Sequence, residues 1–123
     1  MNSKSPHRNL EAWKQSMDLV ERIYKTTSGF PKEELYGLTS QMRRAAVSIP
    51  SNISEGAVGR SEAQFANYLT IALGSLSELD TQIELSYRLG FIGQEEFEQL
   101  LQKIDACKAL IFGLKKSIQK RQQ

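Results

Sequence analysis

Phe97, Leu100, Ile104, Cys107, Ile111, Leu114 and Ile118 recur at alternating steps of three and four without a break. A row of that length can bury itself only as one stripe of a long helix packed against other helices. The same rhythm appears in three earlier segments. Leu10, Trp13, Met17, Val20 and Tyr24 mark the first, and Leu38, Met42, Ala45, Ile49 and Ile53 the second. Phe65, Leu69, Ala72, Leu76, Leu79, Ile83 and Ser86 mark the third, which at helical rise is about 45 Å long. No run of four or more residues alternates apolar with polar between turn residues, so strands are not expected. The reading is all-α, with helices near 10–28, 38–56, 61–90 and 94–121. Connections of about three to nine residues force antiparallel neighbours, hence an up-down-up-down four-helix bundle crossing at roughly 20°. The 123 residues make one domain, 1–123, that buries roughly two-thirds of its unfolded surface.

Local chemistry sets the predicted helix ends. Gly29 suits the left-handed position after the first helix, and Pro31 prevents continuation. Gly56 is expected to end the second helix, with Gly59 just beyond. Pro50 falls inside that helix and frees the carbonyl of Ala46. Because Ile49 and Ile53 stay in phase across it, the helix is expected to kink and continue. Ser48, Ser51, Ser54 and Asn52 are then candidates to bond the freed backbone groups. Ser61 and Gln64 form a capping box for the third helix.

The residues that carry chemistry are sparse. The one histidine, His7, precedes the first helix, and the predicted core rows hold no Asp or Glu, so no metal or haem site is expected inside the bundle. Cys107 stands between Ile104 and Ile111, where a small buried thiol is the ordinary reading. The pairs Glu33/Glu34 and Glu95/Glu96 stand at helix starts, where negative charge suits the dipole. Glu78, Asp80 and Glu84 on the third helix read as solvated or ion-paired. Neither an enzyme nor a cofactor is expected. No apolar run approaches the roughly 18 residues of a membrane span, and the first residues lack a signal-peptide core, so a cytoplasmic location is expected.

Surface features remain. Net charge is +2 overall, yet residues 1–61 carry +3, residues 62–102 carry −6 and residues 103–123 carry +5. Arg43, Arg44, Lys108, Lys115, Lys116, Lys120 and Arg121 are the candidate phosphate contacts. Arg43 and Arg44 suit ion pairing with Glu55 or the third helix equally well. Helix one adds Leu19 and Ile23 outside its predicted row, and further apolar residues lie outside the rows of helices three and four. Leu73, Tyr87, Leu101 and Leu110 read as core edge, whereas Ile71, Leu85 and Phe112 lie far from the rows and read as an oligomer interface. Phe112, beside Lys108, Lys115 and Lys116, is alternatively a ring for a base.

The stretch GLTSQMRRAAVSIPSNISEG, Gly37 to Gly56, resembles the signature of the bacterial 23S rRNA intervening-sequence protein family. LEAWKQSMDLVERIYKTTSGFP (Leu10–Pro31) resembles the family's opening helix, and FANYLTIALGSLSELDTQIELSYRLGFI (Phe65–Ile92) its third. Gln41, Arg43, Arg44, Pro50, Asn52, Glu55 and Gly56 match the motif, while Ser54 stands where many members have alanine. The resemblance implies an up-down bundle, a homopentamer with a central channel and no enzymatic activity. It also relates the chain to the accessory variability protein of diversity-generating retroelements, which binds nucleic acid and a reverse transcriptase. The expected function is a non-catalytic, self-assembling bundle that binds RNA or DNA; a protein-interaction scaffold or accessory subunit is the alternative.

Overall fold

The computed structural model describes residues 5–121, which form four long helices and two short 3-10 turns, with no strand among the described residues. The helices are α1 (Glu11–Thr27), α2 (Leu38–Ala57), α3 (Glu62–Arg88) and α4 (Gln94–Arg121). Each packs on its neighbours in the chain, and α1 closes the bundle against α4. Pairs at the ends show the alternation of direction. Arg22, late in α1, bonds Glu96 at the start of α4, while Arg121 at the end of α4 bonds Glu62 at the start of α3. No helix among the described residues is long and apolar enough to cross a membrane.

Three of the four core rows match the sequence reading. Met42, Ala45, Ile49 and Ile53 of α2 are buried, as are Leu69, Ala72, Leu76, Leu79, Ile83 and Ser86 of α3. Leu100, Ile104, Cys107, Ile111 and Ile118 of α4 complete the interior. Leu38, Phe65, Phe97 and Leu114 sit nearer the ends and pack, half-buried, on the rest.

Helix α1 turns a different face inward. Ala12, Ser16, Leu19, Ile23 and Thr27 are buried, whereas Met17 and Tyr24 of the expected row are 38% and 43% exposed. Leu10, Trp13 and Val20 lie half-buried at the edge. Leu19 and Ile23, outside the expected row, are fully buried. The shift is one residue, about 100° of helix rotation. Two hydroxyls make it tolerable: Ser16 Oγ donates to the Trp13 carbonyl at 2.8 Å and Thr27 Oγ1 to that of Ile23 at 2.7 Å. A hydroxyl bonded to its own helix enters a core at little cost, and it then leaves no mark on a hydrophobic pattern.

Several terminal details also differ. Gly29 does not adopt the left-handed conformation; Gly59 (φ +68°) and Gly90 (φ +80°) are the glycines with positive φ. After Thr27 the chain turns through Ser28, whose Oγ donates to the Tyr24 carbonyl at 2.8 Å. Helix α2 continues through Pro50, as expected, but also through Gly56 to Ala57. Asn52 Nδ2 donates to the Ser48 carbonyl at 2.7 Å and to Ser48 Oγ at 3.0 Å, rather than to the carbonyl of Ala46. Ser48 Oγ also meets Ser75 Oγ at 2.8 Å, joining α2 to α3, and Ser54 Oγ donates to the Ser51 carbonyl. Gly56 is buried where α2 meets α3: a Cβ there would lie 2.8 Å from both Phe65 Cδ1 and Tyr68 Cβ. Its role is close helix approach. The Ser61–Gln64 capping box is present, with both reciprocal bonds at 3.2 Å. At the α1–α2 end, Phe30 lies 5.3 Å from Phe91, and Tyr87 stacks on Phe97 at 4.3 Å.

Candidate nucleic-acid interface

Six of the seven candidate phosphate contacts fall into two groups. Arg43 and Arg44 lie in the second turn of α2, whereas Lys115, Lys116, Lys120 and Arg121 end α4. Helical rise puts Arg43 about 8 Å from its end of the bundle and Lys115 about 32 Å from the same end. The two groups are therefore separated by about 25 Å along the axis, on helices that do not pack on each other. Lys108 is half-buried partway along α4. A single protomer thus has no continuous patch made of all seven.

Within the first group, Arg43 is held by α1. Its Nε donates to Thr27 Oγ1 at 2.9 Å and its Nη2 to the Tyr24 carbonyl at 3.4 Å, with Cζ 4.6 Å from the centre of the Tyr24 ring. The expected pairing with Glu55 or the third helix is not made. Glu55 bonds Arg60 instead, at 2.9 Å. Arg44 is exposed and has no carboxylate partner among the described residues. A cavity of about 480 Å³ opens beside it, lined by Tyr24, Leu35, Tyr36, Thr39, Ser40, Arg43, Arg44 and Val47.

In the second group Arg121 is tied to Glu62 at 2.8 Å, while Lys115, Lys116 and Lys120 have no carboxylate partner among the described residues. Phe112, 54% exposed, lies with Gly113, Lys115, Lys116 and Gln119 around a concavity of about 470 Å³. Ile71 and Leu85 are 51% and 44% exposed on α3. Leu85 shares its concavity with Asp80, Thr81, Glu84 and Arg88, so this candidate contact lies on an acidic surface and Phe112 on a basic one. Leu73, Leu101 and Leu110 are half-buried against the core, as expected of core edge.

A further exposed apolar set was assigned to the interior by the spacing of α1, or was not singled out at all. Met17 and Tyr24 of α1 lie near Val47 of α2, and Leu35 and Tyr36 lie in the preceding turn, Tyr36 being 93% exposed. The signal was present as two competing stripes on α1, one through Trp13, Met17 and Val20 and one through Leu19 and Ile23. Only one of them can face the core.

The remaining polar groups act within the fold. Arg22 donates to both carboxylate oxygens of Glu96, to one of them from Nε at 2.9 Å, and Thr26 donates to Glu96 as well. The Arg22 hydrogen bond, aided by that of Thr26, holds the Glu96 carboxyl below its ordinary value of 4.5. A depressed acid contributes stability above its unfolded pKa and loses it as pH falls through the folded value. Glu96→Gln is therefore expected to cost about 1 kcal/mol at pH 7 and progressively less from about pH 5 to pH 2. Urea denaturation of parent and variant at both pH values checks this. Burial pushes the Cys107 thiol up to about 11, so it stays protonated at neutral pH and serves as a core side chain. Among the described residues no three His, Cys, Asp or Glu side chains gather as metal ligands would.

No curated protein matches the sequence. A crystal structure of a protein of unknown function, from the S23 ribosomal protein family of Bacteroides thetaiotaomicron VPI-5482, superposes with a TM-score of 0.79 at 26% identity. The match covers 85% of this chain and 95% of that one. The family model described as 23S rRNA-intervening sequence protein matches residues 8–113, which takes in α1, α2, α3 and most of α4. By that extent of agreement in sequence and fold, the chain belongs to the 23S rRNA-intervening sequence protein family.

Proposed function

We propose that the protein is a non-catalytic, self-assembling bundle of the cytoplasm that binds RNA or DNA through basic residues multiplied by a homo-oligomeric ring. The observation that carries this reading is the end of α4, where Lys115 and Lys116 border the exposed Phe112 ring and, with Lys120 further along, have no carboxylate partners among the described residues. Three cations on one copy bind phosphate weakly; repeated around a ring of five, the number the family resemblance implies, they would follow a nucleic-acid backbone. Support for assembly comes from the apolar side chains left outside: Ile71 and Leu85 on the acidic α3, Phe112 on the basic end of α4, and Met17 and Tyr24 on α1. Opposite charge on these faces favours contact between copies. The names of the family and of its Bacteroides relative make ribosomal RNA the first ligand to test.

Fluorescence anisotropy with labelled single-stranded RNA and with duplex tests the reading between about 50 and 200 mM KCl. Affinity is expected to fall by about 10³-fold or more across that range if six or more phosphates are neutralised. The triple variant Lys115→Ala, Lys116→Ala, Lys120→Ala is expected to bind more weakly at every salt concentration and with a shallower slope. Absence of binding at low salt, or binding without a salt slope, would sink the proposal. The scaffold reading draws on the groove lined by Trp13, Met17, Val20, Val47 and Pro50. It predicts assembly that ignores both nuclease treatment and the triple substitution.

A further inference from the structure

The cavity at the start of α2 has features that neither the α4 lysines nor the ring accounts for. Thr39, which lines it, is only 3% exposed, and its Oγ1 has no hydrogen-bond partner among the described residues. A buried hydroxyl left without a partner costs stability, so an acceptor that the folded chain does not supply would be favoured there. The helix N-terminus adds to this. Gly37 offers no side-chain cap, and Glu34 Oε1 accepts from the Leu38 N–H at 3.1 Å. Leu35, Tyr36, Thr39 and Ser40 line the concavity and flank this N-terminus, so the positive end of the helix lies beside it.

Helical spacing places Ser40 and Arg44 on one line and Thr39 and Arg43 on the next, each pair four residues apart. Two hydroxyls and two guanidinium groups therefore border one cavity. Arg43 is already oriented by Thr27 and the Tyr24 ring, so ordering it on a ligand costs little entropy. Arg44 is free to close over an anion. Beside this polar corner, Tyr36 presents an almost wholly exposed ring, a surface on which a nucleobase stacks readily. The concavity is open to solvent and, at about 480 Å³, has room for a phosphate and a stacked base.

We infer that this cavity binds a nucleoside 5′-monophosphate group, with the phosphate at Thr39, Ser40, Arg43 and Arg44 and the base on Tyr36. The group is either a free nucleotide or the 5′-phosphorylated end of a strand. The inference deepens the nucleic-acid reading, because its ligand is a nucleotide or a strand end, but it needs neither the α4 lysines nor a ring. The Glu34 carboxylate is the opposing charge; the two arginines outnumber it.

Titration calorimetry of the full-length chain with adenosine 5′-monophosphate, adenosine and inorganic phosphate tests the site. Adenosine 5′-monophosphate is expected to bind more tightly than phosphate, and adenosine weakly or not at all. Arg44→Ala is expected to weaken the nucleotide by about tenfold or more. Tyr36→Ala should weaken the nucleotide and leave inorganic phosphate unchanged. Thr39→Val should weaken both phosphate ligands while raising the thermal midpoint of the free protein, an outcome that a purely structural threonine would not give. The sources separate with a short single-stranded oligonucleotide carrying either a 5′-phosphate or a 5′-hydroxyl. A strand-end site prefers the phosphorylated form over the free nucleotide, and a nucleotide site does not. No nucleotide binding at millimolar concentration, or equal loss of phosphate and nucleotide in Tyr36→Ala, overturns the inference. The α4 triple variant is expected to retain nucleotide binding, so failure of the lysine reading and failure of this one give different results.

Discussion

Leu19→Ala is expected to cost about 2–5 kcal/mol of folding stability, while Met17→Ala changes it by less than about 0.5 kcal/mol. The two residues stand two positions apart on α1, and apolar spacing alone ranks them the other way round. In the fold Leu19 is fully buried between Ser16 and Ile23, and Met17 is 38% exposed. Truncating Leu19 removes transfer free energy and leaves a cavity that the packed α2 and α4 cannot collapse into. Truncating Met17 removes contacts that solvent already shares. Urea denaturation of both variants decides the orientation of α1. A larger loss for Met17→Ala would mean that α1 presents its other stripe to the core. The surface reading of Tyr24, and with it the present position of Arg43, would then fall.

Glycine substitutions are expected to change sign with position. Gly56→Ala should destabilise by about 1–2 kcal/mol, and Gly56→Val by about 3 kcal/mol or more. Gly74→Ala should instead stabilise by about 0.5–1 kcal/mol. Gly74 lies in the middle of α3, where alanine gains the full helix propensity, whereas Gly56 is the penultimate residue of α2 and gains less. At Gly74 nothing lies within 4 Å of the added carbon. At Gly56 that carbon would meet Tyr68 Cβ at 2.8 Å, an atom fixed to its backbone, as well as the edge of the Phe65 ring. Relief requires α2 and α3 to separate along their contact. Thermal midpoints for the three variants test this. A stabilised Gly56→Ala would show that α3 does not approach α2 as closely as described.

Motif residues can now be given individual tasks. Gly56 permits the α2–α3 approach, Asn52 braces Ser48, and Glu55 holds Arg60 in the turn to α3. Pro50 is buried inside an uninterrupted α2. Arg43 locks α2 to the last turn of α1. Gln41 is exposed and makes no side-chain hydrogen bond among the described residues. Much of the signature is thus explained by helix assembly, and Arg44 and Gln41 are exposed members without a side-chain hydrogen-bond partner among the described residues.

By itself the sequence determined the number, span and order of the helices, and the inward faces of α2, α3 and α4. A three-four apolar period admits one solution when large aliphatic residues such as Ile49, Ile53, Leu69, Leu76, Leu79, Ile83, Leu100, Ile104 and Ile111 anchor the buried row. Tertiary structure alone decided the face of α1, because Ala12, Ser16 and Thr27 are too small or too polar to register, and their burial depends on backbone bonds and neighbouring helices. It also separated the basic residues. Charge along a chain says nothing about distance in space until the helices are stacked, and stacking sets Arg43 and Arg44 at one end and the α4 lysines at the other. The Thr39 cavity depended on the same step: one turn, two helices and a hydroxyl without a partner meet there only after the chain has folded.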